Sequence, residues 1–468
     1  MDPLASLAAR LPEGAVSTHP GEIATRAHDL WPLALLRERR GEALPRPMAV
    51  VFPRSTEDVA AALAWADETR TAVVPRGGGS GVCGGAQAPW RSVVLDLSQM
   101  NRVRSVDEES LAVEVEAGIR GDRLEAALGE RGLTLGHYPQ SLAISSVGGW
   151  LASRSAGQAS AGYGVIEDLV LGLVAVLPGG EVVRLRPTPR SAAGPDLRRL
   201  FVGSEGTLGV ITEVTLSASR APAGLRWVAA GPPSFEDGMA LVRRISQGHV
   251  RPLVLRLYDE ADAAFTFGAT GHEGGPVLIA AVAEEADGAA RLRQAAREAG
   301  AAELPEGYGV HWWDHRFEAV DLYRRIMGEE RMLGEGTLVE TVEVAGLWRG
   351  LPALYGSIRE ALASHAETVG CHLSHPYRSG ASLYFTELIR APDDERAEEA
   401  YLASWRDAAR ACHAAGGTIT HHHGVGVLKA PFMEEELGAG GLAALRAVKR
   451  SLDPAGVLNP GKLLPAER

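Results

Sequence analysis

Pro75-Arg-Gly-Gly-Gly-Ser-Gly81, directly behind the apolar run Ala72-Val-Val74, is the stretch that decides the fold of this chain. Glycines reach backbone angles closed to other residues and let the chain approach a ligand closely. Successive N–H groups in such a turn converge on an anion, so the stretch is suited to a pyrophosphate. No Lys-Ser/Thr pair follows, which excludes a Walker loop, and the glycines do not open a helix with GxGxxG spacing. Upstream, Met48-Ala-Val-Val-Phe52 reads as a short strand. Ser55-Thr-Glu-Asp58 then caps a helix running to Thr69, with Val59, Leu63 and Ala66 on one face. Downstream, Val93-Val-Leu95 is the next strand, completing an α/β binding unit.

Further along, three segments repeat this small-residue chemistry. Pro139-Gln-Ser-Leu-Ala-Ile-Ser-Ser-Val-Gly-Gly149 supplies hydroxyls, the stretch from Gly157 to Gly164-Val-Ile-Glu-Asp168 a second close-approach backbone, and Ser204-Glu-Gly-Thr-Leu-Gly-Val-Ile211 a third. Between them lie strand-like runs at Leu169–Leu177 and Val182–Leu185, joined by the hairpin turn Pro178-Gly-Gly-Glu181, and at Val210–Leu216. After Ser219 the character changes. Helical stretches at Glu236–Ser246, Gly288–Ala299 and Leu351–Ala363 alternate with strands at Leu253–Leu257 and Val277–Val282, which predicts a separate α+β domain. A helix over Leu442–Leu452 and a turn-dense strap, Asp453-Pro-Ala-Gly-Val-Leu-Asn-Pro-Gly-Lys462, close the chain.

The totals bound the rest. At 468 residues the chain exceeds one ordinary core and suggests two to four units. A net charge of −12 argues against a general nucleic-acid footprint, so no nucleic-acid partner is expected. The three cysteines, Cys83, Cys371 and Cys412, are odd in number and widely spaced, which excludes a disulfide framework and a CxxC metal site and suits a reducing cytoplasm. Met1–Gly14 has no charged-then-apolar leader pattern, and no window nears the ~18 apolar residues of a transmembrane segment.

The order and spacing of the four motifs, with the closing strap, resemble the vanillyl-alcohol-oxidase superfamily, whose members carry a PCMH-type FAD-binding domain and an FAD-linked oxidase C-terminal domain. The resemblance implies an α+β fold: a two-lobed vanillyl-alcohol-oxidase-type FAD-binding domain plus an α+β cap domain. The boundaries expected are 1–217 for the FAD domain (core about 47–217), 218–451 for the cap, and 452–468 for a strap returning to the FAD domain. It further implies that Pro75, Arg76, Gly77, Gly78, Gly79, Ser80 and Gly81 hold the pyrophosphate, and that Gln140, Ser141, Ser145, Ser146, Ser153, Ser155 and Gly157 line the flavin. Glu205, Gly206, Val210, Ile166 and Ile211 would contact adenosine and isoalloxazine through backbone atoms. Some members attach FAD through His or Cys. Here the early loop has no His and Cys83 lies past the glycines as a small packing residue, so non-covalent FAD is expected.

Two subfamilies compete. D-2-hydroxy-acid dehydrogenases carry Gly-Asp-Gly-Asn-Leu-His and Glu-His-Gly-Ile-Gly segments. This chain has Ser374-His-Pro-Tyr-Arg-Ser-Gly-Ala-Ser-Leu-Tyr-Phe385 and His421-His-His-Gly-Val-Gly426 instead. Both resemble alkylglycerone-phosphate synthase (alkyl-dihydroxyacetonephosphate synthase), the flavoenzyme of ether-lipid formation. So do Gly149-Trp150, Arg154, Tyr163-Gly-x-Ile-Glu-Asp-Leu-Val170, Gly194-Pro-Asp196 and Ser98-Gln-Met-Asn-Arg102. That resemblance implies exchange of the acyl group of an acyl-dihydroxyacetone phosphate for a long-chain alcohol, through an adduct at flavin N5 and without net redox. Tyr384 would remove the C1 proton, Arg325 in Tyr323-Arg-Arg-Ile326 would bind substrate, and His421, His422 and His423 would line the active site. On a strand, His421 and His423 would share one face and His422 the other. A tyrosine acting as base needs its pKa lowered, which neighbouring imidazoles or an arginine would do.

No carboxylate or cysteine stands near the His triplet in sequence, with His372, His375 and His413 the only further imidazoles to consider, so no metal is assigned. Departures from the synthase pattern fall on the substrate side: Arg378-Ser379 where an acid is usual, Gln140 where Asp is usual, Ile326 for Asp, and a basic residue displaced to Lys429. The N-terminus carries no peroxisomal address, nor does Ala466-Glu-Arg468. The reading is a cytoplasmic FAD enzyme of a small-molecule or lipid-phosphate substrate, with peripheral membrane contact and a homodimer left open. Two alternatives stand beside it: an FAD-linked oxidase or dehydrogenase of a 2-hydroxy acid or other small alcohol, and a non-catalytic flavin-binding partner protein.

Overall fold

The computed structural model describes residues 3–284, 287–328 and 330–465. Met1 and Asp2 of the segment read for a leader, and the Ala466-Glu-Arg468 read for an address, lie outside them. Among the described residues no helix is long and apolar enough to cross a membrane.

The N-terminal lobe forms as its capping and apolar signals direct. Principal elements are β1 (Val16–Ser17), α1 (Pro32–Arg39), β2 (Ala49–Val51), α2 (Thr56–Thr69), β3 (Val73–Arg76) and β4 (Val93–Asp96). The Ser55 hydroxyl accepts from Asp58 N–H at 3.1 Å, satisfying a free donor of the first turn of α2. The helix stops where Arg70 turns left-handed (φ 56°), and its buried face is Val59, Ala62, Leu63, Trp65 and Ala66. The sheet runs β1-β2-β4-β3, with β2 and β3 both parallel to β4. A second sheet, all antiparallel, orders β5 (Val103–Asp107), β6 (Ala112–Glu116), β9 (Val210–Ser217), β7 (Val170–Val176) and β8 (Val182–Leu185). Helix α3 (Val147–Ser153) lies between β6 and β7 in the chain. One apolar core joins both sheets and includes Leu63, Leu95, Val115, Trp150 and Leu216.

The cap is a seven-stranded antiparallel sheet. Its chain order is β10 (Leu225–Gly231), α4 (Phe235–Gln247), β11 (Val254–Tyr258), α5 (Glu260–Phe267), β12 (Val277–Ala283), α6 (Gly288–Glu298), β13 (Ala302–Leu304), α7 (Gly307–His315), α8 (Ala319–Met327), β14 (Thr337–Leu347), α9 (Leu351–Ala363), β15 (Thr368–Ser374), β16 (Gly380–Arg390) and α10 (Asp394–Ala414). The strand order is β13-β10-β12-β11-β15-β16-β14. Helix α1 precedes the flavin lobe in sequence yet packs into this cap: Trp31, Leu33 and Leu36 join its core, while Arg39 pairs with Asp394 and Arg37 with Glu398.

The closing helix differs from expectation. Helix α11 begins at Met433, not Leu442, and is kinked at Gly438, whose φ of 68° breaks the helical run. Its end leads into the strap, which adds an edge to the first sheet: Leu458 bridges Val73 in parallel, with Val73 N–H on Val457 O and Asn459 N–H on Val73 O, both 2.8 Å. The buried Asp453 carboxylate holds this turn by accepting from Val457 and Leu458 N–H and from Lys449.

Within the cap, Glu340 and Glu387 face each other directly across β14 and β16 and are both buried. Glu387 accepts from Ser404 Oγ at 2.7 Å, and Glu340 from Trp405 Nε1 at 3.2 Å. Burial, chiefly, pushes Glu340 up to about 7 and Glu387 up to about 8. The folded protein therefore keeps these protons after the unfolded chain has lost them, and stability falls as pH rises from about 4.5 toward 8. Glu387→Gln cannot ionise yet keeps the Ser404 bond. We expect it to raise the unfolding free energy read from urea titration at about pH 8, by a few kcal/mol, and to do little at about pH 4. An equal effect at both pH values would contradict a neutral buried acid.

Candidate active site

The glycine stretch leaves β3 and runs along a cavity of about 1230 Å³ between the flavin lobe and the cap. Its glycines are required by close approach. A Cβ at Gly78 would lie 1.9 Å from the Ile144 carbonyl oxygen, and one at Gly77 would lie 2.1 Å from Ser146 Oγ. The loop thus lies directly on the turn that begins α3, where Ser146 Oγ caps Gly149 N–H at 3.3 Å. The N–H groups of Gly78, Gly79, Ser80 and Gly81 have no acceptor among the described residues, and all four residues line the cavity. Ser204 Oγ, also on the cavity wall, is buried without a partner. A row of free donors, a bare backbone and an orphaned hydroxyl fit the pyrophosphate and polar edges of FAD.

Of the expected FAD contacts, all from Pro75 to Gly81 line the cavity, as do Gln140, Ser141, Ser145, Ser146, Ser153, Ser155, Glu205, Gly206, Val210 and Ile211. Gly157 and Ile166 do not. Gly157 instead lets the backbone pass His137 and Tyr138, where a Cβ would lie 2.5 Å from Tyr138 N, and Ile166 is fully buried in the flavin lobe's core. Glu205 does more than offer its backbone. Held at φ 51°, it is buried, and its carboxylate accepts from Val425 N–H at 2.5 Å and Gly426 N–H at 2.7 Å. That ties the histidine segment to the flavin lobe.

The triplet is not on a strand. His421–His423 form a bent loop wrapped around one buried carboxylate, Glu343 of β14, which accepts from the N–H groups of His421, His422 (3.3 Å) and His423 (3.1 Å). Thr420 Oγ1 and Lys429 Nζ, each at 2.8 Å, complete its partners. Lys429 and Glu343 are both fully buried. Burial works against the Glu343 charge, but Lys429 and the flanking imidazoles hold its carboxyl well below the usual range. No carboxylate is near the histidines in sequence. Folding brings one from 78 residues upstream.

Register places Tyr384 on β16 opposite Glu343 and beside His372 of β15. Its ring stacks on His372 (centroids 4.7 Å, 19°), lies edge-on to His423 at 5.4 Å and is stacked at 6.0 Å from His422. His422 and His423 line the cavity and His421 does not. The expectation that these neighbours lower the Tyr384 pKa is overturned. Burial comes first and pushes the phenol well above its ordinary value; a hydrogen bond with Thr341 and, more weakly, Arg256 offset only part of this, and Glu340 and Glu343 add to it. The histidines move the other way. Burial lowers His423 to about 4 and takes His422 and His375 well below their ordinary value. At neutral pH the wall holds neutral imidazoles, which can accept a proton, and a protonated phenol, which can donate one.

Arg325, expected to bind substrate, stands at the rim of the cavity, more than half exposed and paired with Glu330 at 3.0 Å. The buried guanidinium is Arg256 of β11, 6% exposed and also on the cavity wall. Its Nη2 donates to His372 Nε2 at 2.5 Å, and His372 Nδ1 in turn meets Asp262 at 2.7 Å. Arg256 lies over the rings of Trp312 (5.0 Å) and Tyr258 (5.6 Å), and its Nε is buried without a partner. Sequence reasoning missed Arg256 because it reads as one polar residue in an apolar strand, and Glu343 because it reads as one of several polar residues alternating along a half-buried one. Cys83 is buried in packing as expected, and all three cysteines are unpaired. His375, His421 and His422 bring one nitrogen each within 4.8 Å, the one described grouping able to hold a metal. Both His421 nitrogens, however, are already bonded, to His422 and Tyr377.

Known proteins share this architecture. The family model "FAD binding domain" matches residues 47–186, and "FAD linked oxidases, C-terminal domain" matches residues 221–463. An Escherichia coli O157:H7 protein described as an uncharacterized FAD-linked oxidoreductase, YgcU, is 33% identical over 91% of this chain and 90% of its own. Alkyldihydroxyacetonephosphate synthase of Trypanosoma brucei brucei is 31% identical over 94% of this chain and 76% of its own. A solved structure of an alkyldihydroxyacetonephosphate synthase superposes with a TM-score of 0.79 at 22% identity, covering 98% of this chain and 84% of that one.

Gly78→Ala tests the cradle. Its methyl group would collide with the Ile144 carbonyl, so flavin should be bound about tenfold to a hundredfold more weakly, read as the flavin-to-protein absorbance ratio after gel filtration. Full retention would mean that this loop does not hold the cofactor.

Proposed function

Because this chain belongs to the FAD-linked oxidases, with the FAD-binding and C-terminal domains of that family in order, we propose that it acts on a substrate bearing an anionic group and an oxygen-substituted carbon, with alkyldihydroxyacetonephosphate-synthase chemistry as the leading reading. FAD is its cofactor. When bound, it supplies the electron-pair acceptor that the protein's side chains lack. The glycine stretch and the serines of the α3 turn would hold it without a covalent bond, since the glycine loop has no His and burial keeps the thiol of Cys83, on the cavity wall, protonated by pushing it well above its ordinary value.

Arg256 carries this reading. A buried guanidinium with no carboxylate in contact is costly unless an anion completes it, and its open Nε on the cavity wall suits a phosphate or carboxylate. His372, kept neutral mainly by burial, accepts from Arg256 and gives its other N–H to Asp262, so the guanidinium is aimed. Beside it, Tyr384 offers an O–H to the substrate's oxygen. His422 is the group suited to take the proton from the adjacent carbon, because it is neutral, lines the cavity and is fixed through its backbone by Glu343. The His-His-His-Gly-Val-Gly and Ser-His…Tyr-Phe segments favour acyl-for-alcohol exchange over hydroxy-acid oxidation. In the exchange, fatty acid leaves dihydroxyacetone phosphate and a long-chain alcohol replaces it.

The test is anaerobic mixing of the purified holoenzyme with palmitoyl-dihydroxyacetone phosphate while flavin absorbance is followed. Bleaching reversed by a long-chain alcohol, with ether product formed, supports the exchange reading. Bleaching by D-lactate or 2-hydroxyglutarate, with electrons passing on to an acceptor, would overturn it in favour of a dehydrogenase. With the substrate that reacts, Arg256→Gln should raise KM by about a hundredfold and Tyr384→Phe should lower kcat by about a hundredfold. Unchanged kinetics in both variants would point to a flavin-binding protein whose cap has no chemistry.

A further inference from the structure

We infer that the proton taken up by His422 leaves the active site along a hydrogen-bonded chain, from His422 through His421 to Tyr377, that opens into solvent. This rests on the reading of His422 as the proton acceptor and adds an exit path for that proton. His422 Nδ1 lies 2.9 Å from His421 Nδ1, and His421 Nε2 lies 2.8 Å from Tyr377 Oη. Tyr377 is 38% exposed, whereas His422 lines the cavity. Two hydrogen bonds therefore link a group on the cavity wall to one in contact with water.

Separate supports fix both halves of this path. The His421–His423 backbone is held by Glu343, as described. Tyr377 sits in the turn between β15 and β16, where its N–H donates to Gly380 O at 2.7 Å and its carbonyl accepts from Trp348 Nε1 at 3.1 Å. His421 is held from the side by His375, whose ring stacks on it at 5.2 Å and 16°. The neighbouring imidazoles offer no such exit. His375 Nδ1 bonds the buried Ser160 Oγ at 2.6 Å, and His423 Nδ1 is buried without a hydrogen-bond partner, 3.8 Å from Glu343.

The transfer balances as a relay of one proton. His422 receives it at Nε2, the nitrogen left free by the bond to His421, and gives up its Nδ1 proton to His421 Nδ1. His421 passes its Nε2 proton to Tyr377 Oη, and Tyr377 releases its own proton to water. Each ring ends in the opposite tautomer, and no electrons move. Neutral imidazoles suit this task because each has one N–H to give and one lone pair to receive.

The test uses FAD-loaded enzyme carrying isotope-labelled histidine and follows exchange of the ring N–H protons with water by NMR. Tyr377→Phe keeps the ring but removes the terminal O–H. Exchange of the His421 proton should slow by at least about tenfold. The His137 ring, buried elsewhere against Trp150, should be unchanged and reports that the fold is intact. Unchanged His421 exchange would overturn the proposal, as would equal slowing at His137. Tyr377→His, which restores a group able to accept and donate, should recover fast exchange, and failure to do so would also count against the relay. In turnover with the reactive substrate, Tyr377→Phe should lower kcat with KM unmoved and make the rate depend on buffer concentration. A kcat equal to that of the unaltered enzyme would overturn the relay's part in catalysis. If no substrate reduces the flavin, the proposed function fails separately, because the exchange measurement needs none.

Discussion

The buried carboxylate of Glu343 is the interaction on which the rest of the site depends. Five donors from the segment 420–429 converge on it: three loop N–H groups, the Thr420 hydroxyl and the Lys429 ammonium. A carboxylate and an ammonium both withdrawn from water are stable only when hydrogen-bonded and paired, and here each is the other's main compensation. The arrangement converts a flexible Gly-flanked run of histidines into a loop with one backbone path. Because Glu343 lies opposite Tyr384 in the β14–β16 register, the same strand pair that builds the cap core sets the distance between phenol and imidazoles.

Burial also sets the protonation pattern of that wall. Desolvation disfavours charge on any group, so it lowers histidine and raises tyrosine. A single physical cause thus gives neutral acceptors and a neutral donor side by side, with Arg256 the most deeply buried arginine of the cavity wall among the described residues, ahead of Arg76 and Arg316. The tyrosine is not made into a base by its neighbours. In the proposed function it is the polar group that meets a substrate oxygen, while the imidazoles hold the lone pairs.

Glu205 and the closing strap join the two halves. The Glu205 carboxylate binds the segment just past the histidines, and its backbone carbonyl accepts from Asn459 Nδ2 at 2.6 Å. One residue beside the flavin cradle therefore touches both the segment after the histidine loop and the chain's last turn. Its left-handed backbone lets the side chain reach inward while the peptide faces the strap. Shifts in the cradle would be passed to the histidines through this contact.

Local patterns made the flavin lobe legible in the sequence. Strand, cap, helix and glycine loop lie within some fifty residues, each with its own backbone reason, and the cradle residues from Pro75 to Gly81 all reach the cavity. Tyr384 and the histidines were legible as motifs, but not their setting. One of two glutamates on a strand gives no sign of which loop it will meet, and an Arg at Arg256 no sign that it will be buried beside a ligand space. Gly157 and Ile166 look like ligand contacts because their neighbours are, yet they serve backbone packing and core. The sequence by itself determined the cofactor class, the cradle and the order of the domains, because these follow from short-range backbone chemistry. Only the tertiary structure decided the charges, the burial of Arg256 on the cavity wall and the hydrogen bonds from His422 to Tyr377. Those depend on burial and on contacts between residues far apart in the chain, which no local pattern encodes.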